Sequence, residues 1–573
     1  MPISSQRVLP GRIVGGCVLI CAMCSCNSFS SSAPDFVLTG GRVFTADSLH
    51  PWAQAVAIKG ARLMLVGSDS AVLALAGSRT QRVALEGRLV VPGFNDAHTH
   101  VAASMGGAVF RTRTGNPPNP SLRQTLDAVK SATKRSRARG WISGEVGGAV
   151  LDDPRARRGV LDSVAGAYPV MIRGWTGHGA ILNTLALHMT GLDTARDPLG
   201  GWLERDKSGK PTGRVDEYAL YAVERALSAA RGRKPAIDTF RKYDALATSL
   251  GITTTQNVAT GITPALLEEV EQSGVMRGRQ RVIPFEMPSV RDRAMLWKDA
   301  VPSNVLTTIS GVKWILDGTP IERLAFMRQP YADKPGWRGR LNFPPDTIAV
   351  LLREALAKKQ QPILHAVGDS TIVLVFAAMR SLAPDSTWQR VRLRLEHADA
   401  LTPDLFADAK KLGVVVVETP SRLVASELLA RFGPARFQRT EQVRAMLAAG
   451  IPMAIGSDGE LNPFVNIAYI VQAPFNPSQG LTREQAVIAY TRGGAYAELA
   501  ERDKGMLKTG MLADLAVLSQ DIFTVPLDAL PATSSLLTFV NGRVTNDDFK
   551  KGANLKVSRH FWREPNFVRR LMN

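Results

Sequence analysis

A chain of 573 residues, 45% hydrophobic and 21% charged, has the balance of a globular protein and excludes a disordered or fibrous one. Its length exceeds one small domain and suits a single large barrel with an accessory layer. The formal net charge of +19 invites an anionic partner, but the basic residues are scattered. The densest run, Lys134-Arg135-Ser136-Arg137-Ala138-Arg139, falls on a predicted helix and lacks interleaved aromatics, which argues for a solvated surface and against nucleic-acid binding.

At the N-terminus, Arg7 and Arg12 precede an apolar run from Ile13 to Met23, followed by Ser and Ala residues. This is the layout of a secretory signal, with an apolar core too short for a comfortable membrane span. All four cysteines, Cys17, Cys21, Cys24 and Cys26, lie here. Cys26 follows the small Ser25 as a lipoprotein acceptor would, although Met23 and Cys24 make a poor lipobox. Residues 1–33 are therefore expected to be signal and linker, with membrane attachment through a lipidated Cys26. Cleavage near Ser31 or Ala33 is the rival, and an uncleaved anchor the third reading. The expected location is the bacterial envelope, periplasmic or membrane-anchored. With no cysteine after position 26, any metal must be held by N and O donors, which suits zinc with an open catalytic position.

Residues 36–92 carry short β-rich segments punctuated by Gly40-Gly41 and Lys59-Gly60, and the stretches 514–518 and 537–544 repeat that texture. The two ends, 34–90 and 505–550, are predicted to build one small composite β-sandwich. Between them β-like segments alternate with helical runs such as 347–359, the pattern of a parallel α/β architecture. In order they are 89–98, 252–258, 281–286, 312–317, 362–366, 392–397, 414–418 and 451–457. Eight is the count for a (β/α)8 TIM-like barrel, here spanning 91–504. A further apolar run, 169–173, is assigned to an insertion after the first barrel strand at about 101–241. The alternative makes it a barrel strand in place of one of the eight.

Residues of metal-ligand type stand at the carboxyl ends of these strands, where barrels assemble their active sites. His98 and His100 are two apart, so on a strand they share a face while Thr99 points away, with Asp96 beside them. Lys313 lies in the fourth strand, His365 ends the fifth, His397 ends the sixth and Asp458 follows the eighth. Only eight histidines occur in the chain, and four fall at such ends. A hydrogen-bonded core histidine is the better reading for any one alone, but not for all of them with Asp458.

These motifs resemble the metal-dependent amidohydrolase superfamily, and more closely its YtcJ-like branch, amidohydrolase family 3. The resemblance rests on Gly93-Phe-Asn-Asp-Ala-His-Thr-His100, Val312-Lys-Trp-Ile-Leu-Asp-Gly318, His365-Ala-Val-Gly-Asp369, Leu395-Glu-His-Ala398 and Gly456-Ser-Asp458. The stretch Gly505-Met-Leu-Lys-Thr-Gly-Met-Leu-Ala-Asp-Leu-Ala-Val-Leu518 extends it, so that about 36–545 is covered. It implies that His98 and His100 ligate the more buried metal, with His365 and His397 holding a second ion or completing the set around one. Lys313 matches a position where relatives carry a carboxylated lysine bridging two metals. The plain alternative is an unmodified lysine salt-bridged to Asp458 or Asp317. His178, in Arg173-Gly-Trp-Thr-Gly-His178, matches a histidine placed over the metal site, where it would orient substrate or stabilise an oxyanion; its rival is a loop-packing histidine. His188 is expected to pack or be solvated, and Trp175 either lines the pocket or is simply buried.

With such ligands, one or two divalent ions, expected to be zinc with the choice against manganese or iron left open, lower the pKa of a bound water towards ~7 and make hydroxide available at neutral pH. Asp458 is expected to accept the water's proton and hand it to the leaving nitrogen, with ligation alone as its simpler role. The predicted function is metal-dependent cleavage of an amide-type C–N bond (N-acyl, formamide or cyclic amide) in a small molecule. A lactone or ester hydrolase with the same site, a non-catalytic envelope binding protein, and electrostatic association with an anionic polymer are the alternatives. Gly251-Ile-Thr-Thr-Thr-Gln-Asn257 and Glu418-Thr-Pro-Ser421 depart from the branch pattern near the expected pocket, so substrate preference does not carry over. Oligomerisation is left open.

Overall fold

The computed structural model describes residues 33–549 except 102–107, 111, 113–116, 137–139, 232 and 288–303. The expected signal segment with its four cysteines, and the basic residues Arg137 and Arg139, lie outside the described residues. Eight central strands occur in chain order: Phe94–Thr99, Ile252–Val258, Arg279–Ile283, Val312–Ile315, Pro362–His365, Arg394–Glu396, Val415–Glu418 and Met453–Ile455. The first three pair in parallel, with Thr307–Ile309 added at their edge, and the last five pair in parallel in sequence order. Backbone contacts at both seams join these sheets. A parallel bridge links Phe285 to Lys313 at one seam, and at the other the Asp458 N–H donates to the His98 carbonyl at 2.9 Å.

Parallel strands covered on both faces need continuous apolar runs, and Val415–Glu418 reads Val-Val-Val-Glu with every residue buried. The helices Pro345–Ala357 and Asp369–Leu382 flank the fifth strand and send Leu351, Leu352, Val375 and Phe376 into one core with Leu364 and Leu395.

The predicted first strand divides at Gly93. Leu89–Pro92 pairs with Arg42–Phe44 and Leu515–Leu518 in a sheet built from the two ends of the chain, whereas Phe94 onward pairs with Ile252–Val258. A Cβ at position 93 would overlap the Thr253 side chain, so only glycine lets the chain cross from one sheet to the other there. The end-built strands form a six-stranded and a four-stranded sheet. Leu38, Val56, Ile58, Val90, Leu515, Val517 and Phe539 from both sheets share one apolar cluster.

Between the first and second central strands stands a separate six-stranded sheet, in the order Gly201–Arg205, Pro211–Glu217, Gly179–Leu182, Val170–Gly174, Ile142–Val146, Ala108–Val109. The apolar run at 169–173 lies here, not among the central eight. This inserted layer ends earlier than 241. The helix Arg233–Ser249 packs on the second central strand and on the helix Pro264–Gln272, with Phe240 against Leu267 and Val270. A ring of alternating charges ties the layer down. Asp152 of the layer bonds Arg323 Nη1 and Arg431 Nη2 at 2.6 Å each. Asp333 receives the same two guanidinium groups, from Arg323 Nη2 at 2.9 Å and from Arg431 Nη1.

Candidate active site

His98 is the fifth residue of the first central strand, and His100 lies just past its end. Their Nε2 atoms stand 3.2 Å apart, as the two-residue spacing dictates. The other nitrogen of each ring is engaged. His98 Nδ1 bonds Glu396 Oε2, and His100 Nδ1 lies 3.2 Å from the Val258 carbonyl oxygen and 3.0 Å from Thr260 Oγ1. Arg394 and Glu396 share one face of the sixth strand, and the guanidinium donates to both carboxylate oxygens at 2.9 and 3.0 Å. Burial opposes charge on Glu396, but Arg394 and His98 outweigh it and hold the carboxyl below its usual range. An anionic Glu396 accepts a hydrogen bond from Nδ1–H and so leaves His98 Nε2 with a bare lone pair facing the cluster. Burial, with the Lys313 charge adding to it, pushes the His98 imidazole down to about 4, so the ring is neutral at neutral pH.

His397 follows the sixth strand in a left-handed conformation, φ 71°. Its Nδ1 lies 2.9 Å from Thr419 Oγ1 and its Nε2 3.7 Å from Asp458 Oδ2. Asp458 Oδ1 is 3.3 Å from His100 Nε2 and 3.8 Å from His98 Nε2. Burial works against the Asp458 carboxylate, yet His98, His100 and Arg422 keep its pKa well below normal. One donor atom each from His98, His397 and Asp458 lie within 4.8 Å of one another. His365 packs its ring 4.8 Å from that of His397 and 4.3 Å from that of His178, with Nε2 3.4 Å from the Gly318 carbonyl oxygen.

Lys313 is 1% exposed, and its Nζ is buried without a hydrogen-bond partner. Burial pushes its ammonium down to about 8. The alternative salt bridge to Asp317 is not formed: that carboxylate accepts the Val367, Gly368 and Phe326 N–H groups and the Thr371 hydroxyl.

All six residues, His98, His100, Lys313, His365, His397 and Asp458, line one cavity of about 390 Å³, within the range of small-molecule sites. His178 and Trp175 of the inserted layer line it too. His188 does not: its side chain is 75% exposed and paired with Asp193 at 2.9 Å. Of the two departures from the branch pattern, the first borders the cavity without lining it: Gln256 bonds Asn95, Arg281 and Arg394 between the strands, Asn257 bonds Val101 beside His100, and Thr255 meets the lining Tyr243. Ser421 of the second lines the cavity, and Glu418 is buried.

The donor set fits a divalent cation. Three imidazole nitrogens and an anionic carboxylate face one another across a buried space, and the unpartnered Lys313 Nζ shares the wall. Glu396 and Glu217 are functional residues beyond the expected set. Glu396 lies within Leu395-Glu-His-Ala398, where a charged pair at positions 394 and 396 of an apolar strand is a readable signal. Nothing in the spacing of residues 178 and 217 announces that they meet.

The family model described as the amidohydrolase family matches residues 81–546. The protein named LONG AFTER FAR-RED 3 of Arabidopsis thaliana is 28% identical over 543 residues, covering 89% of this chain and 91% of its own. The N-substituted formamide deformylase of Arthrobacter pascens is 25% identical over 540 residues, covering 89% of this chain and 97% of its own. In fold, an uncharacterized metal-dependent hydrolase from Pyrococcus furiosus matches with a TM-score of 0.66 at 23% identity, over 85% of this chain and 100% of its own.

Proposed function

The chain belongs to the amidohydrolase family, in its YtcJ-like branch, and on that premise we propose that it hydrolyses an amide-type C–N bond in a small N-acyl, formamide or cyclic amide substrate. One observation carries this reading: six potential ligands from five separate central strands and their ends line a single cavity, with Asp458 beside three imidazoles. The formamide chemistry named for the Arthrobacter relative is one member of the substrate class. The architecture in this reading is a (β/α)8 barrel over about 91–504, its two sheets joined at their seams, with a β-sandwich from both chain ends. Export with lipid attachment at Cys26 belongs to the same reading. No helix among the described residues is long and apolar enough to cross a membrane.

His98, His100, Lys313, His365, His397 and Asp458 would hold one or two divalent ions, zinc by preference. When bound, such an ion supplies an acidified water and polarises the substrate carbonyl. Glu396 fixes His98 with Nε2 presented to the site. The Asp458 carboxylate takes the attacking water's proton and delivers it to the departing nitrogen, which must leave as a neutral amine. Lys313, a buried amine without a partner, would act as a carbamate, whose two anionic oxygens suit a cation as a bare ammonium does not.

The test is metal content together with hydrolysis of a panel of N-acyl, formyl and cyclic amides and matched esters. Asp458→Asn should keep metal and lose about 10²–10⁴ in kcat. A protein that binds these compounds without turnover is a binding protein, and one that cleaves only the esters is an esterase.

A further inference from the structure

His178 is held from behind by Glu217. Both carboxyl oxygens of Glu217 lie 3.1 Å from His178 Nδ1, and the Tyr221 hydroxyl is 3.3 Å from the same nitrogen. The Glu217 N–H also donates to the His178 carbonyl at 3.0 Å, so backbone and side chain fix the pair together. Glu217 is fully buried and adopts φ 55°, a left-handed conformation that a side-chain-bearing residue keeps only when its surroundings impose it. Asn342 Nδ2 donates to Glu217 Oε2 at 3.1 Å and to the Ile315 carbonyl at 3.0 Å. A Cβ on Gly318 would collide with Glu217 Oε1, so the glycine makes room for that oxygen.

We propose that Glu217 is a positioning residue: it donates through Oε1 to His178 Nδ1, so that His178 presents Nε2–H to the acyl oxygen of the substrate. The proposal rests on the hydrolase reading above. One line of contacts leads from Asn342, which donates to Glu217 Oε2, through Glu217 to His178 Nδ1 and on into the cavity that His178 lines. Burial without an ion-paired cation pushes the Glu217 carboxyl well above its usual range, which keeps a proton on it to donate. An ionised Glu217 would instead accept from Nδ1–H and leave Nε2 bare, unable to donate to an oxyanion. Nδ1 and Nε2 flank Cε1 and point outward in diverging in-plane directions, so engaging one nitrogen aims the other.

The experiment is long-range ¹H–¹⁵N correlation on the metal-loaded full chain labelled in histidine, with the His178 signals assigned by their loss in His178→Asn. Wild type should carry the ring proton on Nε2. Glu217→Gln, whose amide can donate to Nδ1 while accepting from Asn342, should keep that tautomer and the wild-type kcat. Glu217→Leu should lose the fixed tautomer and about 10²-fold in kcat with KM little changed. A proton on Nδ1 in wild type overturns the proposal, as does a Glu217→Leu enzyme with unchanged kcat. Should the leucine variant not fold, the wild-type tautomer and the glutamine variant decide. The tautomer is read without substrate, so the absence of amide hydrolysis would count against the proposed reaction and not against this pairing.

Discussion

Glu396 joins His98 to Arg394: one carboxylate accepts the imidazole Nδ1–H and the Nε–H and Nη2–H of the guanidinium, and all three side chains are buried. This fixes the ring's tautomer before any cation arrives. A lone pair aimed in advance costs nothing to orient on binding, which is what partners behind a ligand contribute.

Removing that support should weaken metal binding without touching a ligand. Glu396→Ala is expected to lower metal affinity about 10–100-fold, read by competition with a chromophoric chelator. Glu396→Gln should fall between, because its amide accepts the Nδ1 proton but no longer neutralises Arg394.

Acid should destabilise the metal-free protein. Burial pushes His98 down to about 4 and His178 to about 3, and lowers His365 and His397 well below the ordinary histidine value. Between the unfolded value near 6.5 and these folded values, the unfolded chain binds protons that the folded chain refuses. Stability is therefore full above about pH 6.5 and falls as the pH drops towards 4, by about 1.4 kcal/mol per pH unit for each such histidine. Thermal unfolding of the chelated protein across that range checks the slope; a Tm flat from pH 7 to 5 contradicts it.

Lys313 should react with carbon dioxide when metal is present. Isotope-edited NMR of protein loaded in ¹³C-bicarbonate is expected to show one carbamate carbon, absent from Lys313→Met. Lys313→Glu should retain more metal than Lys313→Met, since a carboxylate replaces part of the missing anionic donor.

The sequence made the site's chemistry readable wherever a short period governs it. Two histidines two residues apart on a strand must share a face, and their Nε2 atoms do meet. Asp458, His365 and His397 were readable as polar residues ending apolar runs. The division at Gly93 was only half readable: Pro92-Gly93 marks an interruption, but Leu89–Pro92 and Phe94–Thr99 are both buried and the change of sheet depends on Thr253, far along the chain. The end of the inserted layer was hidden for a similar reason. Helix Tyr218–Arg231 faces the layer and Arg233–Ser249 faces the second central strand; Gly232 and Pro235 mark the break between them, but nothing local says that the two helices serve different layers. Contacts such as Glu217 with His178 arise from pairing within the inserted sheet, where Gly179 lies opposite Asp216. No local pattern reports them.

The most direct measurement is anomalous diffraction from crystals of the zinc-loaded enzyme, collected on both sides of the metal's absorption edge. The account predicts a peak at bonding distance, about 2.0–2.2 Å, from His98, His100 and Asp458. The absence of a peak at those three residues, in a protein that still hydrolyses amides, would contradict it.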